Sequence, residues 1–213
     1  MKKVIDLASW NRREHFAFFS RCDEPFHGIV ANIDCDAAYH YCKQTKTSFF
    51  LLYLHRILQA INDTKAMRYR IEDGQVVEYA RIHANATISR ADNTFGFCPI
   101  QFHEDFSVFS TDANSAMVKV KNDTGLCFTD ECKRNDAIHF SAMPWINFTG
   151  ITHARRHDGM DSVPKISAGK CHLQDGKMQL PVASFVHHGL VDAYHIHQFL
   201  SRLQQGMNDI PEA

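Results

Sequence analysis

Apolar and polar positions along the chain recur with two periods, one near 3.6 and one of two, and these divide it into helices and strands. In S-F-F-L-L-Y-L-H-R-I-L-Q-A-I, Phe50, Leu54, Ile57, Leu58 and Ile61 recur at helical spacing, and Ser48 stands where an N-cap belongs. Ile196, Phe199, Leu200 and Leu203 share one face of a terminal helix that opens at Asp192. R-E-H-F-A-F-F-S reads as a short helix near the start, and a further helix is expected over about 110–121. Alternation in F-H-G-I-V-A-N-I-D predicts a strand ending at Asp34, which then caps a helix through D-A-A-Y-H-Y-C-K. R-Y-R-I-E-D-G-Q-V-V-E-Y carries a hairpin signal with Asp73-Gly74 at its turn. Strands are also expected around 84–89 and 95–102, and in A-I-H-F-S-A-M-P-W-I-N-F-T-G, K-I-S-A-G-K-C-H-L and M-Q-L-P-V-A-S-F-V-H-H, with Asp175-Gly176 joining the last two. Helices and strands mix without strict alternation, so the expected class is α/β of the α+β kind, with a mixed, mostly antiparallel sheet. No repeat or Pro/Gly-rich linker divides residues 1–213, so a single domain is expected.

Composition narrows the functional classes. The formal net charge is −1, which offers no basic field for nucleic acid or an anionic membrane. No apolar run is long enough to span a bilayer, and the first residues carry charges where a signal peptide needs an apolar stretch. Seven cysteines, an odd number without a C-x-x-C pair, read as reduced thiols in a cytoplasmic protein.

The chemistry concentrates near the carboxyl end, in P-V-A-S-F-V-H-H-G-L-V-D-A-Y-H-I-H. His188 falls at the end of a buried strand, and Asp192 opens the last helix. One reading is a satisfied core histidine beside a helix cap. A metal site from His187, His188, His195, His197 and Asp192 is poorly supported: neighbours in a strand point to opposite faces, and residues two apart on a helix diverge. A hydrolase triad lacks its G-x-S-x-G elbow. A third functional reading is a histidine general base acting on a hydroxyl or thiol with no protein nucleophile, a role generally worth about 10²–10⁴-fold.

H-H-G-L-V-D-A resembles the H-H-x-x-x-D-G signature of chloramphenicol acetyltransferases, which dihydrolipoamide acyltransferases share. W-N-R-R-E-H-F resembles the family's W-x-R-x-E-H-F, S-A-M-P-W-I-N-F its S-A-x-P-W-x-x-F, and P-K-I-S-A-G-K its P-x-x-T-x-x-K, in the same order over essentially the whole chain. The resemblance implies a two-layer sandwich and direct acetyl transfer from acetyl-CoA, a co-substrate rather than a resident cofactor, to a hydroxyl of chloramphenicol. His188 matches the general base, whose other ring nitrogen bonds its own carbonyl in the family. Ser141 matches the oxyanion donor. Asp192 and Arg12 match a buttressing ion pair, and Ser167 stands for a threonine that holds a water. Lys170 and Trp145 match positions beside CoA.

The same resemblance places Phe19 and Phe95 at aromatic walls of the acceptor pocket. It places Asp23, His27, Thr152 and His153 where that pocket is largely apolar in the family, and Ala193 where the signature has glycine. It also implies a homotrimer with sites between subunits, and no metal, nucleic-acid or membrane partner. An alternative acceptor, another small hydroxyl or thiol compound, stays open, as does a non-catalytic relative that keeps the fold.

Overall fold

The computed structural model describes residues 1–155 and 161–210. In chain order the elements are β1 (Lys2–Val4), α1 (Arg13–Phe19), β2 (Phe26–Asp34), α2 (Asp36–Thr45), α3 (Phe49–Asp63), β3 (Tyr69–Glu72), β4 (Gln75–Tyr79), β5 (His83–Ser89), β6 (Phe95–Ile100), α4 (Phe106–Asn122), β7 (Ala137–Ala142), β8 (Lys165–Ala168), β9 (His172–Gln174), β10 (Lys177–His187) and α5 (Ala193–Asn208). The main sheet runs β2-β10-β8-β7-β5-β6, with β9 pairing β10 beyond β8. Pairs β5–β7 and β7–β8 are parallel and the others antiparallel, which is the mixed sheet expected. A small antiparallel sheet, β1-β4-β3, lies apart from it.

Alternation decides which face of the main sheet is covered. Ile138, Phe140, Ile166, Ala168, Val182 and Val186 pack into one core with Leu54, Leu58 and Ile61 of α3 and Ile196, Phe199 and Leu203 of α5. Fully burying each such side chain contributes roughly 1.5–3 kcal/mol. The intervening residues, Ser141 on β7, Ser167 on β8 and Ala183 on β10, therefore point to the opposite face. Both hairpin turns named from sequence form, with Asp73 and Gly74 at φ 49° and 73° and Asp175 and Gly176 at 50° and 80°, the left-handed pairs that match strand twist.

Three expectations shift. Asp34 is the last residue of β2 and Cys35 takes the cap position of α2, although Asp34 Oδ1 still accepts the Asp36 amide at 3.1 Å. Helix α4 starts at Phe106, with Asp105 accepting the Val108 amide at 2.9 Å, and β6 stops at Ile100. Phe106 and Phe109 give the helix an extra apolar turn, which outweighs the strand-like reading around them. Ala193 is the first residue of α5 and has no positive φ, so alanine suits a position where the signature carries glycine.

Candidate active site

The turn after β10 is fixed from three sides. Strand β10 is almost wholly buried from Leu180 onward, and the His187 carbonyl accepts the Leu190 and Val191 amides, each at 3.0 Å. The His188 amide donates to Pro25 O at 2.8 Å, tying the turn to the approach of β2. Asp192 caps α5, its Oδ1 accepting the Tyr194 and His195 amides at 3.1 and 3.3 Å. Its Oδ2 meets Arg12 Nη1 at 2.6 Å, and Arg12 Nη2 donates to the His188 carbonyl at 3.2 Å. One guanidinium thus holds both the cap and the backbone of His188. Partial burial alone would push the Asp192 carboxyl up; the Arg12 hydrogen bond and the His195 ring overcome it and bring it to about 2.

The His188 ring is sandwiched. It stacks on Phe19 with centroids 3.9 Å apart and planes at 5°, and on His27 at 4.1 Å and 28°. The His27 Nε2–H donates to Val191 O at 3.0 Å, so His27 is a paired brace of the turn, and burial lowers its basicity. The bond expected from His188 Nδ1 to its own carbonyl is absent: Nδ1 has no partner among the described residues, and the carbonyl accepts Arg12 Nη2. His187 points to the other face, as alternation requires. It is 3% exposed, packs edge-on to Phe26 and accepts the Gly189 amide on Nδ1 at 3.1 Å. Burial first, then Arg155, pull its imidazole down to about 4. A Cβ on Gly189 would meet the His187 ring at 3.1 Å and the α1 backbone at 3.2 Å, so a larger residue there would have to push one of them aside by a few tenths of an ångström.

Ser141 and Ser167 lie elsewhere. Cross-strand register places Phe97, Thr87, Ser141, Ser167, Ala183 and Val30 in one row on the face of the sheet opposite α3 and α5. Thr87 Oγ1 and Ser141 Oγ are hydrogen-bonded at 3.3 Å, and His153 Nε2 and Ser167 Oγ at 2.9 Å. Ser141 is level with Ala183, two strands away, and His188 lies five residues further on, just past the end of β10. At about 3.3 Å per residue and about 4.8 Å per strand, the two backbones are on the order of 15–20 Å apart within one chain. That exceeds what two side chains acting on one carbonyl can bridge.

The remaining residues named from sequence fall on both parts. Phe19 and His27 belong with His188. His153 belongs with Ser167, and Phe95 is a part-exposed ring edge-on to Phe97 beside the same row. Lys170 has an exposed side chain, and its amide donates to Ile146 O at 2.8 Å, which brings it beside the segment of Trp145, 68% exposed. Asp23 and Thr152 are exposed and have no hydrogen bond among the described residues.

Sequence reading missed a charged cluster between the two parts. Lys165 is buried, with Nζ on Asp161 Oδ1 and Oδ2 at 2.6 and 2.7 Å and on Val163 O at 2.8 Å. The Arg155 guanidinium lies 3.6 Å over the Phe26 ring, paired with Glu24 and, at 3.5 Å, with Asp161. Lys165 is in register with His139, whose ring is exposed next to Ser141. The only sequence signal was a lysine inside an otherwise apolar strand, P-K-I-S-A. Among the described residues no group of three or more His, Cys, Asp or Glu is placed to hold a metal ion, and no helix is long and apolar enough to cross a membrane.

A family model described as chloramphenicol acetyltransferase matches residues 2–204. Chloramphenicol acetyltransferase 3 of Escherichia coli is 25% identical over 205 residues, with 96% of each chain covered. Chloramphenicol acetyltransferase 2 of Haemophilus influenzae is 24% identical over 207 residues, with 97% of each covered. A solved chloramphenicol acetyltransferase superposes with a TM-score of 0.90 at 29% identity, over 97% of this chain and all of that one. The dihydrolipoamide acetyltransferase of Azotobacter vinelandii shares the fold, with a TM-score of 0.70 at 13% identity over 87% of this chain and 82% of that one.

Proposed function

This chain belongs to the chloramphenicol acetyltransferase family of acyltransferases, and from that premise we propose that it transfers the acetyl group of acetyl-CoA to a hydroxyl of chloramphenicol. His188 Nε2 takes the acceptor's hydroxyl proton as the oxygen attacks the thioester carbonyl. The Ser141 hydroxyl donates to the oxyanion that forms, a donor generally worth about 2.7–4 kcal/mol in the transition state. When the intermediate collapses, the C–S bond breaks and the protonated His188 returns the proton to the CoA sulfur. No acetyl-enzyme forms on this path, and the Ser167 hydroxyl, hydrogen-bonded to His153, is not its nucleophile. Arg12 and Asp192 hold the turn that carries the base. Lys170 supplies a point charge for CoA phosphates, with Trp145 beside it. The observation that carries this reading is the His188 ring clamped between Phe19 and His27 on a turn fixed by Arg12.

The separation of His188 from Ser141 within one chain supports a shared site. His188 of one copy meets Ser141, Ser167 and Thr87 of a neighbour in a homotrimer, and the acceptor lies between them.

One observation favours a second acceptor. Ser141 is flanked by Thr87, by the His153–Ser167 pair, by the exposed His139 ring and by the Lys165–Asp161 pair, a lining rich in hydrogen-bonding groups. An acceptor with several hydroxyls satisfies such groups better than a largely apolar one. The test is release of free thiol from acetyl-CoA with chloramphenicol and with a panel of polyhydroxylated alcohols and thiols. Brisk release with chloramphenicol supports the first reading. Release only with the polar panel moves the acceptor and keeps the acyltransfer chemistry. No release with any acceptor overturns both.

A further inference from the structure

We infer that Cys35 and Cys171 form a redox modification site, at which a low-molecular-weight disulfide converts the two thiols into a reversible intramolecular disulfide. All seven cysteines are free, and Cys22 is exposed without a sulfur neighbour. Cys35 and Cys171, 136 residues apart in sequence, bring their Sγ atoms to 3.4 Å in a thiol–thiol hydrogen bond. No other pair of sulfurs makes such a contact among the described residues; Cys132 bonds the Cys127 carbonyl and Thr129 Oγ1 instead.

The two thiols sit in unequal places. Cys35, between β2 and α2, is fully buried and also donates to Met178 O at 3.3 Å. Cys171 is partly exposed, in the irregular bend between β8 and β9 that directly follows Lys170. A disulfide in solution therefore reaches Cys171 first. With the single Cys35 proton turned from Met178 O to Cys171 Sγ, the hydrogen bond lowers the Cys171 thiol, against burial and the nearby Asp36 carboxylate, and the same bond with burial raises Cys35. The exposed partner is the better nucleophile and the buried one the resolving thiol.

The steps balance. The Cys171 thiolate attacks one sulfur of the small disulfide, its S–S bond breaks, and one small thiolate leaves. Cys35 then loses its proton and attacks Cys171 Sγ in the mixed disulfide, which forms the internal bond and releases a second small thiol. The protein is oxidised by two electrons and the small disulfide is reduced. Bond formation closes the sulfurs from 3.4 Å to about 2.05 Å, between two residues that both lie outside the strands and helices. The bond then pins the segment after Lys170 to the start of α2.

The test is native full-length protein incubated with oxidised glutathione, then alkylated, digested and mapped by mass spectrometry with and without dithiothreitol. The expected result is simultaneous loss of the Cys35 and Cys171 thiols and a linked peptide pair that dithiothreitol separates. Cys35→Ser is expected to stop at one glutathionyl group on Cys171. Glutathione that stays on Cys171 in the wild type without linking, or two unreacted thiols while Cys22 is modified, would overturn the inference. The wild-type map decides alone where the variant does not fold.

Discussion

Asp192→Asn separates two roles that the wild-type side chain combines. Asparagine caps helices about as well as aspartate, so the bonds to the Tyr194 and His195 amides survive. What is lost is the counter-charge of Arg12, whose side chain is only 9% exposed against 31% for Asp192. Breaking a buried pair generally costs about 3–5 kcal/mol and an exposed one about 0–1 kcal/mol. This pair lies between, so a loss of about 2 kcal/mol is expected. Arg12→Ala removes the pair and also frees the His188 carbonyl, so it should cost at least as much and lower kcat further. The double variant should lose less than the sum of the single losses, by about 1–2 kcal/mol, because both singles break one network. Urea unfolding at fixed protein concentration gives the stabilities, and thiol release gives kcat. The folded carboxyl titrates at about 2, below its unfolded value of 3.8, so the pair's contribution is present above pH 4 and fades as pH falls through about 2. Additivity of the two single losses to within about 0.5 kcal/mol would refute the claim that one ion pair carries the turn.

Ser141→Ala should lower kcat by about 10²–10³-fold and leave the KM for acetyl-CoA nearly unchanged, since an oxyanion donor acts in the transition state; a raised KM at constant kcat in steady-state assays would make Ser141 a binding residue. His187 should make stability pH-dependent. Its imidazole is held at about 4 against an unfolded 6.5, so the unfolded chain takes up a proton first as pH falls from 6.5 to 4. Up to about 3 kcal/mol should be lost across that window. His187→Asn should flatten the profile there in urea titrations at several pH values, and an unchanged slope would count against the assignment.

Much of the fold was legible because its signals are local. The helical stripe of α3, the Asp-Gly turns and the cap of α5 at Asp192 each follow from a few adjacent residues. So was the side of the sheet to which His187 points, since alternation along β10 decides it. Strand β1 was missed because three exposed residues on an edge carry no apolar pattern. The charged cluster was missed for a different reason. Arg155, Asp161 and Lys165 are near one another in sequence, but Glu24 and the Phe26 ring join them only through the return of a distant segment, and that part no local spacing encodes. His27 was read as an isolated polar group in a pocket, yet its ring stacks on His188 and its Nε2–H has a carbonyl partner, both set by the β2–β10 register.

The central claim is that His188 and Ser141 act on one carbonyl from different copies of the chain. Coexpression of His188→Ala with Ser141→Ala tests it most directly, by thiol release from the mixed assembly against each variant alone. In a closed ring of randomly mixed chains, about one quarter of the interfaces pair an intact His188 with an intact Ser141. Thiol release should therefore recover to about a quarter of the wild-type rate, far above either parent. A mixed assembly no more active than the mean of its two parents would contradict the account.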